Sequence, residues 1–156
     1  MAEADPGQFR QEDTRASYDA VGEQDAAAIA LPPFELGFAG TELRRTLVDA
    51  VLRGEKTATA ALATDYAPHT SEQMPQPSDR WALLDFDDNP VAIVRTTEVR
   101  TVPAGEVDLQ FARDEGEGFE SVAAWRAAHE RFWSDHQITD DTLIVCERFE
   151  LVERLP

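Results

Sequence analysis

The run Gly54-Glu55-Lys56-Thr57-Ala58-Thr59 holds the most chemically versatile grouping in the chain. Of 14 basic side chains Lys56 is the only lysine, the rest being arginines. A compact ammonium therefore stands beside two hydroxyls, Thr57 and Thr59, with a glycine close by. Such a set offers a tunable amine, hydroxyls that can donate, accept or attack, and a backbone free to turn sharply. Read from spacing alone, the same residues also suit an ordinary strand start at a surface. A second polar run, Asp114-Glu115-Gly116-Glu117-Gly118, supplies carboxylates on a glycine-rich loop. No metal or cofactor is expected, because there is no Cys pair and no His at ligand spacing. Asp85, Asp87 and Asp88 lack the ligand count and distal bidentate glutamate of a calcium loop and read as turn chemistry.

These groups need elements to hold them. Residues 41–53 have helical spacing, with Thr41 as N-cap and Leu43, Leu47, Ala50 and Val51 as the buried face. Arg53 in the last turn and Gly54 after it close the helix. Residues 56–63 read as a strand with Thr57, Thr59 and Ala61 on one face. Lys56 and Thr59 are three apart, so a regular strand points them to opposite sides; they converge only if Lys56 belongs to the turn or a bulge intervenes. Residues 65–78 form a polar, proline-rich loop long enough to cover a site. Residues 81–86 and 91–99 form a hairpin through Asp87-Asp88-Asn89-Pro90, the return strand keeping Val91, Ile93, Arg95, Thr97 and Val99 on one face. Residues 104–114 and 121–133 are helical, the second capped by Ser121 with Val122, Trp125, His129 and Phe132 along one side. Residues 142–152 form the closing strand. Trp81 and Cys146 read as core, Trp125 and Trp133 as helix packing, His129 as packed on its helix, and His136 as a turn residue.

Strands joined through a hairpin argue against a doubly wound parallel sheet. The expected class is α+β: a small mixed or antiparallel β-barrel with helices packed on its outside. At 156 residues and 42% apolar composition the chain suits one domain. Residues 1–30 read as a disordered acidic tail, with an alanine-rich short helix at 24–30, and residues 31–156 as the folded domain. The net charge of -17 opposes loose binding to nucleic acid or anionic membranes and favours a small, weakly charged substrate. A single cysteine, no secretory signal pattern and no apolar run of membrane length lead to a cytoplasmic expectation, with no membrane partner. Oligomeric state leaves no mark in the sequence.

Taken together, Gly54 to Thr59, the Asp87–Pro90 turn, the acidic run from Asp114 to Gly118 and the final strand resemble the ASCH domain family, allied to the PUA-type RNA-binding barrels. The resemblance spans roughly residues 35 to 154. It implies a five- or six-stranded barrel with a cleft rimmed by the helix–strand loop, and a partner that is RNA or an RNA-derived nucleoside. Some members resemble hydrolases of N4-acetylcytidine acting through Lys, Thr and Glu, and others resemble ribonucleases on single-stranded RNA. By the Gly-x-Lys-x-x-Thr motif the catalytic set falls on Lys56, Thr59 and Glu115, with Glu117 two residues on as the alternative carboxylate. Where the common motif continues to an arginine, this chain has Ala61, which weakens the case for gripping a polynucleotide.

In an amidohydrolase Thr59 would attack the acyl carbon. Lys56 would take its proton if burial discharges the amine, or face the oxyanion if it stays charged, and Glu115 would pass a proton to the leaving amine. In a ribonuclease Lys56 would be the phosphate cation, with Glu115 or a histidine as base; His69 in the long loop is the best placed of the three. In a non-catalytic RNA-binding or ligand-sensing module, aromatics such as Tyr66 and Trp81 would stack a base. Thr57, Tyr66, His69 and Glu117 are the expected substrate contacts.

Overall fold

A computed structural model describes residues 30–156. Residues 1–29, which hold the expected tail and the alanine-rich segment except for Ala30, lie outside the described residues. The elements follow as β1 (Pro33–Phe34), α1 (Glu42–Leu52), β2 (Ala58–Leu62), β3 (Arg80–Leu84), β4 (Pro90–Pro103), α2 (Leu109–Asp114), α3 (Val122–Phe132) and β5 (Leu143–Arg154). Single 3₁₀ turns at Ala63–Asp65 and Ala104–Glu106 follow β2 and β4.

The five strands form one curled half-barrel in the order β1-β3-β4-β5-β2. β1 runs parallel to β3, and every other pair is antiparallel. The mixed barrel-like sheet with helices against it is the expected class. The long β4–β5 ladder carries register shifts at Ile93/Val94 and Thr96/Glu98. Such bulges bend the strands and increase their twist, which curls the sheet. They also break the alternation expected along β4: Arg95 and Thr97 are exposed, while Ile93, on the same expected face, is buried.

Side-chain caps set the helix starts. Thr41 accepts from the Arg44 amide at 3.2 Å, Asp108 from that of Phe111 at 2.8 Å and Ser121 from that of Ala124 at 3.0 Å. Asp108 explains why the helix expected over 104–114 splits in two. Its capping backbone is extended, so a 3₁₀ turn precedes it and α2 starts afresh. β1 has no counterpart in the sequence reading, since two residues are too few to show a period.

The core has two main bodies. One packs α1 onto β3 and β4 through Leu47, Val51, Phe34, Leu83 and Val94. The other packs α2 and α3 onto β2 and β5 through Phe111, Trp125, Ala60 and Ile144. On the reverse face of β2 and β5, Ala61 and Val145 pack with Tyr66. Among the described residues no helix is long and apolar enough to cross a membrane.

One expectation for α1 is corrected. Leu43 is 43% exposed, and the inward place belongs to its neighbour Arg44, which is fully buried. The Arg44 guanidinium donates to the carbonyls of Leu36, Gly37 and Asp85 at 3.1, 3.2 and 3.3 Å. It also pairs with Glu35 at 3.1 Å and Asp88 at 2.7 Å. Five donors in a planar fork match these acceptors, so one side chain ties the exit of β1 and the β3–β4 turn to α1. Breaking a buried ion pair from one side costs about 3–5 kcal/mol. Arg44→Leu should therefore lower the unfolding free energy by that order, seen as a lower urea midpoint with little change in slope. A free energy within about 0.5 kcal/mol of wild type, the scale of a surface change, would show that Arg44 does not tie these elements together.

Candidate active site

β1 and β2 are the two ends of the strand order, and a cavity lies between them. It has a volume of about 330 Å³. Leu36 and Gly37, just beyond β1, form one wall, and Thr59 and Ala60 of β2 form another. α1 contributes Leu43 and Leu47, and α3 contributes His129, Arg131 and Phe132. Lys56, Glu115, Glu117 and Phe119 complete the lining.

Lys56 is placed by the end of α1. The amides of Gly54, Glu55 and Lys56 turn back onto Val51 and Ala50 carbonyls at 3.0, 2.9 and 3.1 Å, with Gly54 at φ +80°. β2 begins only at Ala58, so Lys56 belongs to the turn. This is how it and Thr59 reach one cavity although they are three residues apart. Lys56 is 2% exposed. Its Nζ donates to the Ala58 and Glu115 carbonyls at 2.8 and 3.2 Å, with Glu115 Oε1 at 3.9 Å and Glu117 Oε2 at 3.7 Å.

The acidic loop reaches Lys56 through backbone contact. The Thr57 amide donates to the Asp114 carbonyl at 2.8 Å, and Gly116 follows in the left-handed region at φ +71°. A Cβ on Gly116 would fall 2.7 Å from both the Glu55 carbonyl oxygen and Lys56 Cα. Only glycine satisfies both the dihedral and the approach.

Behind Lys56, Glu115 is clamped by α3. Trp125 Nε1 donates to its Oε2, and His129 Nε2 stands 3.5 Å from its Oε1. His129 Nδ1 faces the Trp125 carbonyl at 2.9 Å; a carbonyl can only accept, so that nitrogen carries a proton. The imidazole also stacks on Trp125 at 4.2 Å between ring centres. Burial pushes Glu115 upward, but hydrogen bonding and charge from His129, together with Lys56 and Trp125, outweigh it and hold the carboxyl below its ordinary value. Burial likewise pulls His129 down, and the Glu115 carboxylate outweighs it, leaving the imidazole above its ordinary value. Glu117 goes the other way: burial lifts it, and Lys56 only partly offsets this.

Lys56, Thr59, Glu115 and Glu117 thus line one cavity. The other expected contacts do not. Thr57 is held by its backbone, its carbonyl accepting from the Phe149 amide at 3.0 Å, and its side chain is not part of the lining. Tyr66 is buried with Ala61 and Val145 behind the sheet, and His69 is exposed on its loop. Trp81 packs in the core, its indole donating to Thr96 at 2.8 Å. The histidine that enters the site is His129. The sequence does contain its signal, the i,i+4 spacing from Trp125, but that spacing reads equally well as packing. Among the described residues no group of three or more His, Cys, Asp or Glu side chains is arranged to hold a metal ion.

The family model for the ASCH domain matches residues 35–153. A crystal structure of a protein from Enterococcus faecalis V583 is 32% identical over 76% of this chain and 74% of its own, with a TM-score of 0.67. The crystal structure of an ASCH domain from Lactobacillus crispatus JV V101 is 26% identical over 95% of this chain and 94% of its own, with a TM-score of 0.68. No curated protein matches the chain.

Two outcomes are expected from this geometry. Gly116→Ala should lose about 3 kcal/mol or more, strain at positive φ alone accounting for about 1–3 kcal/mol, and thermal unfolding with Gly118→Ala as comparison measures it. Gly118 shares the positive φ but has open space around it. Equal losses in the two variants would discount the Gly116–Lys56 approach. The second outcome concerns pH. The depressed Glu115 stabilises the fold above the ordinary carboxylate value of 4.5, and this is lost as pH falls through its lower folded value. The raised His129 stabilises below the ordinary 6.5, and this is lost as pH rises through its higher folded value. The stability gap between wild type and His129→Gln should therefore be widest at roughly pH 5 to 6 and narrow on the alkaline side. A gap independent of pH between 5 and 9, the rough span bracketing a histidine titration, would refute the pairing.

Proposed function

The chain belongs to the ASCH domain family, PUA-like and often associated with RNA, and from that premise we propose that it is a hydrolase of an N-acylated, RNA-derived nucleoside such as N4-acetylcytidine. The working residues in this reading are Lys56, Thr59 and Glu115. The observation that carries it is the buried Lys56 ammonium, 3.7 and 3.9 Å from two carboxylates, in a cavity that Thr59 also lines. An amine, a hydroxyl and paired carboxylates in one cavity are the groups that acyl transfer uses.

Thr59 Oγ adds to the acetyl carbonyl, with Lys56 facing the oxyanion as it forms. A neighbouring carboxylate takes the hydroxyl proton and returns it to N4 as the carbon–nitrogen bond breaks. This releases cytidine and leaves acetate esterified to Thr59. Water then cleaves the ester, giving acetate and restoring the hydroxyl. Phe119 and Phe132 on the wall offer flat apolar faces for a pyrimidine ring.

Incubation with N4-acetylcytidine, separated chromatographically from cytidine, tests this beside a labelled single-stranded RNA. Deacetylation is expected, falling about 100-fold or more in Lys56→Ala, the scale of losing one oxyanion partner. Full activity in that variant would reject the reading. Cleavage of the RNA in place of deacetylation would point to a ribonuclease. Tight, salt-sensitive RNA binding without turnover would point to a non-catalytic module.

A further inference from the structure

We propose that Glu117 is the carboxyl that exchanges protons with the substrate, and that Glu115, clamped between His129 and Trp125, is a positioning residue that holds Lys56. The assignment rests on the hydrolytic reading above and divides the labour between two carboxylates that the sequence does not separate.

Glu115 is poorly placed to carry a proton to a substrate. Its side chain is 2% exposed. One oxygen accepts from the Trp125 indole, and the other faces His129 at 3.5 Å and Lys56 at 3.9 Å. A carboxylate engaged on both oxygens by donors is held ionised and fixed in orientation. Its task is met by the contacts it already makes: it orients the ammonium and anchors the imidazole.

Glu117 has the complementary properties. It lines the same cavity, its side chain is 28% exposed, and its single ion pair among the described residues is to Lys56 at 3.7 Å. The left-handed turn at Gly116 brings two carboxylates only two residues apart to the same ammonium. The charged groups around Glu117 are Lys56 from the turn before β2, Glu115 from its own loop, and His129 from α3, with Arg131 also lining the cavity from α3. Burial raises Glu117 while His129 and Lys56 hold Glu115 down, so the two are driven apart in the way that separates a proton carrier from a fixed charge.

The proton path then closes. The Glu117 carboxylate takes the Thr59 hydroxyl proton as the oxygen–carbon bond forms. It hands that proton to N4 as the carbon–nitrogen bond breaks and its electron pair passes to nitrogen. In the second half it takes a proton from the attacking water and returns it to Thr59 Oγ as the ester bond breaks. The sum is amide plus water to amine plus acid.

The test compares Glu117→Gln, Glu117→Asp and Glu115→Gln in the full chain, by N4-acetylcytidine hydrolysis across pH and by urea unfolding. Because Glu117 must start ionised, kcat/KM should rise with pH along an acid limb above the ordinary carboxylate range. Glu117→Gln should lose about 10²- to 10⁴-fold in kcat with KM little changed, and the limb should vanish. Glu117→Asp should recover part of the rate and keep the limb. Glu115→Gln should lose activity but retain an acid limb. The unfolding arm needs no substrate: the stability of Glu117→Gln relative to wild type should improve from about pH 4 to about pH 8, because ionising the raised carboxyl costs the wild type stability, whereas Glu115→Gln should lose ground over the same range. Turnover by wild type with full kcat in Glu117→Gln overturns the assignment alone. Absence of any turnover by wild type overturns the hydrolase reading and the proton step with it. A Glu117→Gln whose stability relative to wild type falls from about pH 4 to about pH 8 overturns the division of labour whatever the substrate.

Discussion

A buried ammonium dictates the form of this site. Lys56 leaves water almost completely, and a cation can do so only if other groups replace its solvation. Two carbonyls and two carboxylates do this, and three of the four come from the loop that follows α2. That loop must press its backbone against Lys56, which makes Gly116 obligatory. It must also offer a charged group at the right depth, which makes Glu115 a buried residue in need of its own donors. Trp125 and His129 meet that need from α3. The chain of requirements runs from one side chain on the turn to a helix more than 60 residues later.

The domain contains a second fully buried cation, and the contrast is instructive. Arg44 spends its donors on fixed acceptors, three backbone carbonyls and two carboxylates, and two of those carbonyls belong to Leu36 and Gly37 on the cavity wall. A planar guanidinium suits this static task. Lys56 carries a compact charge on a flexible stem and faces open volume. The fold uses the rigid cation to hold the wall and the adaptable one to line the space inside it.

Much of the fold is legible in the sequence because its signals are local. Thr41, Ser121 and Gly54 mark helix ends by capping chemistry, and Asp87 to Pro90 mark a hairpin. What is lost is what locality cannot encode. β1 is two residues long and exists only because β3 offers it an edge. Arg44 looks like a solvated helix residue until Glu35, Asp85 and Asp88 surround it. The carboxylates lie some sixty positions from Lys56, and only the family resemblance joined them before the fold did. By periodicity His129 is a packing residue, and it does stack on Trp125; its second role depends on Glu115, which no periodicity places beside it.

The same geometry bears on the choice between a nucleoside and a strand of RNA. Ala61 stands where the common motif has an arginine, a departure that implies a weaker hold on phosphate. In the fold Ala61 is buried with Tyr66 and Val145, and unbroken alternation along β2 gives it the face of Thr59, opposite Ala60. An arginine there would share the face of Thr59, so its absence leaves that side of the site without a guanidinium. In the proposed reading a polynucleotide is disfavoured further by the charge already present: the lysine is matched by Glu115 and Glu117, and the whole chain carries -17. A phosphate backbone approaching this surface meets net repulsion, screened only beyond about 8 Å at physiological salt. Leu43, Phe119 and Phe132 give the same cavity an apolar wall that carries no such repulsion toward a neutral base. In the proposed hydrolase, discrimination of this kind would fall mainly on the number of phosphates the ligand carries.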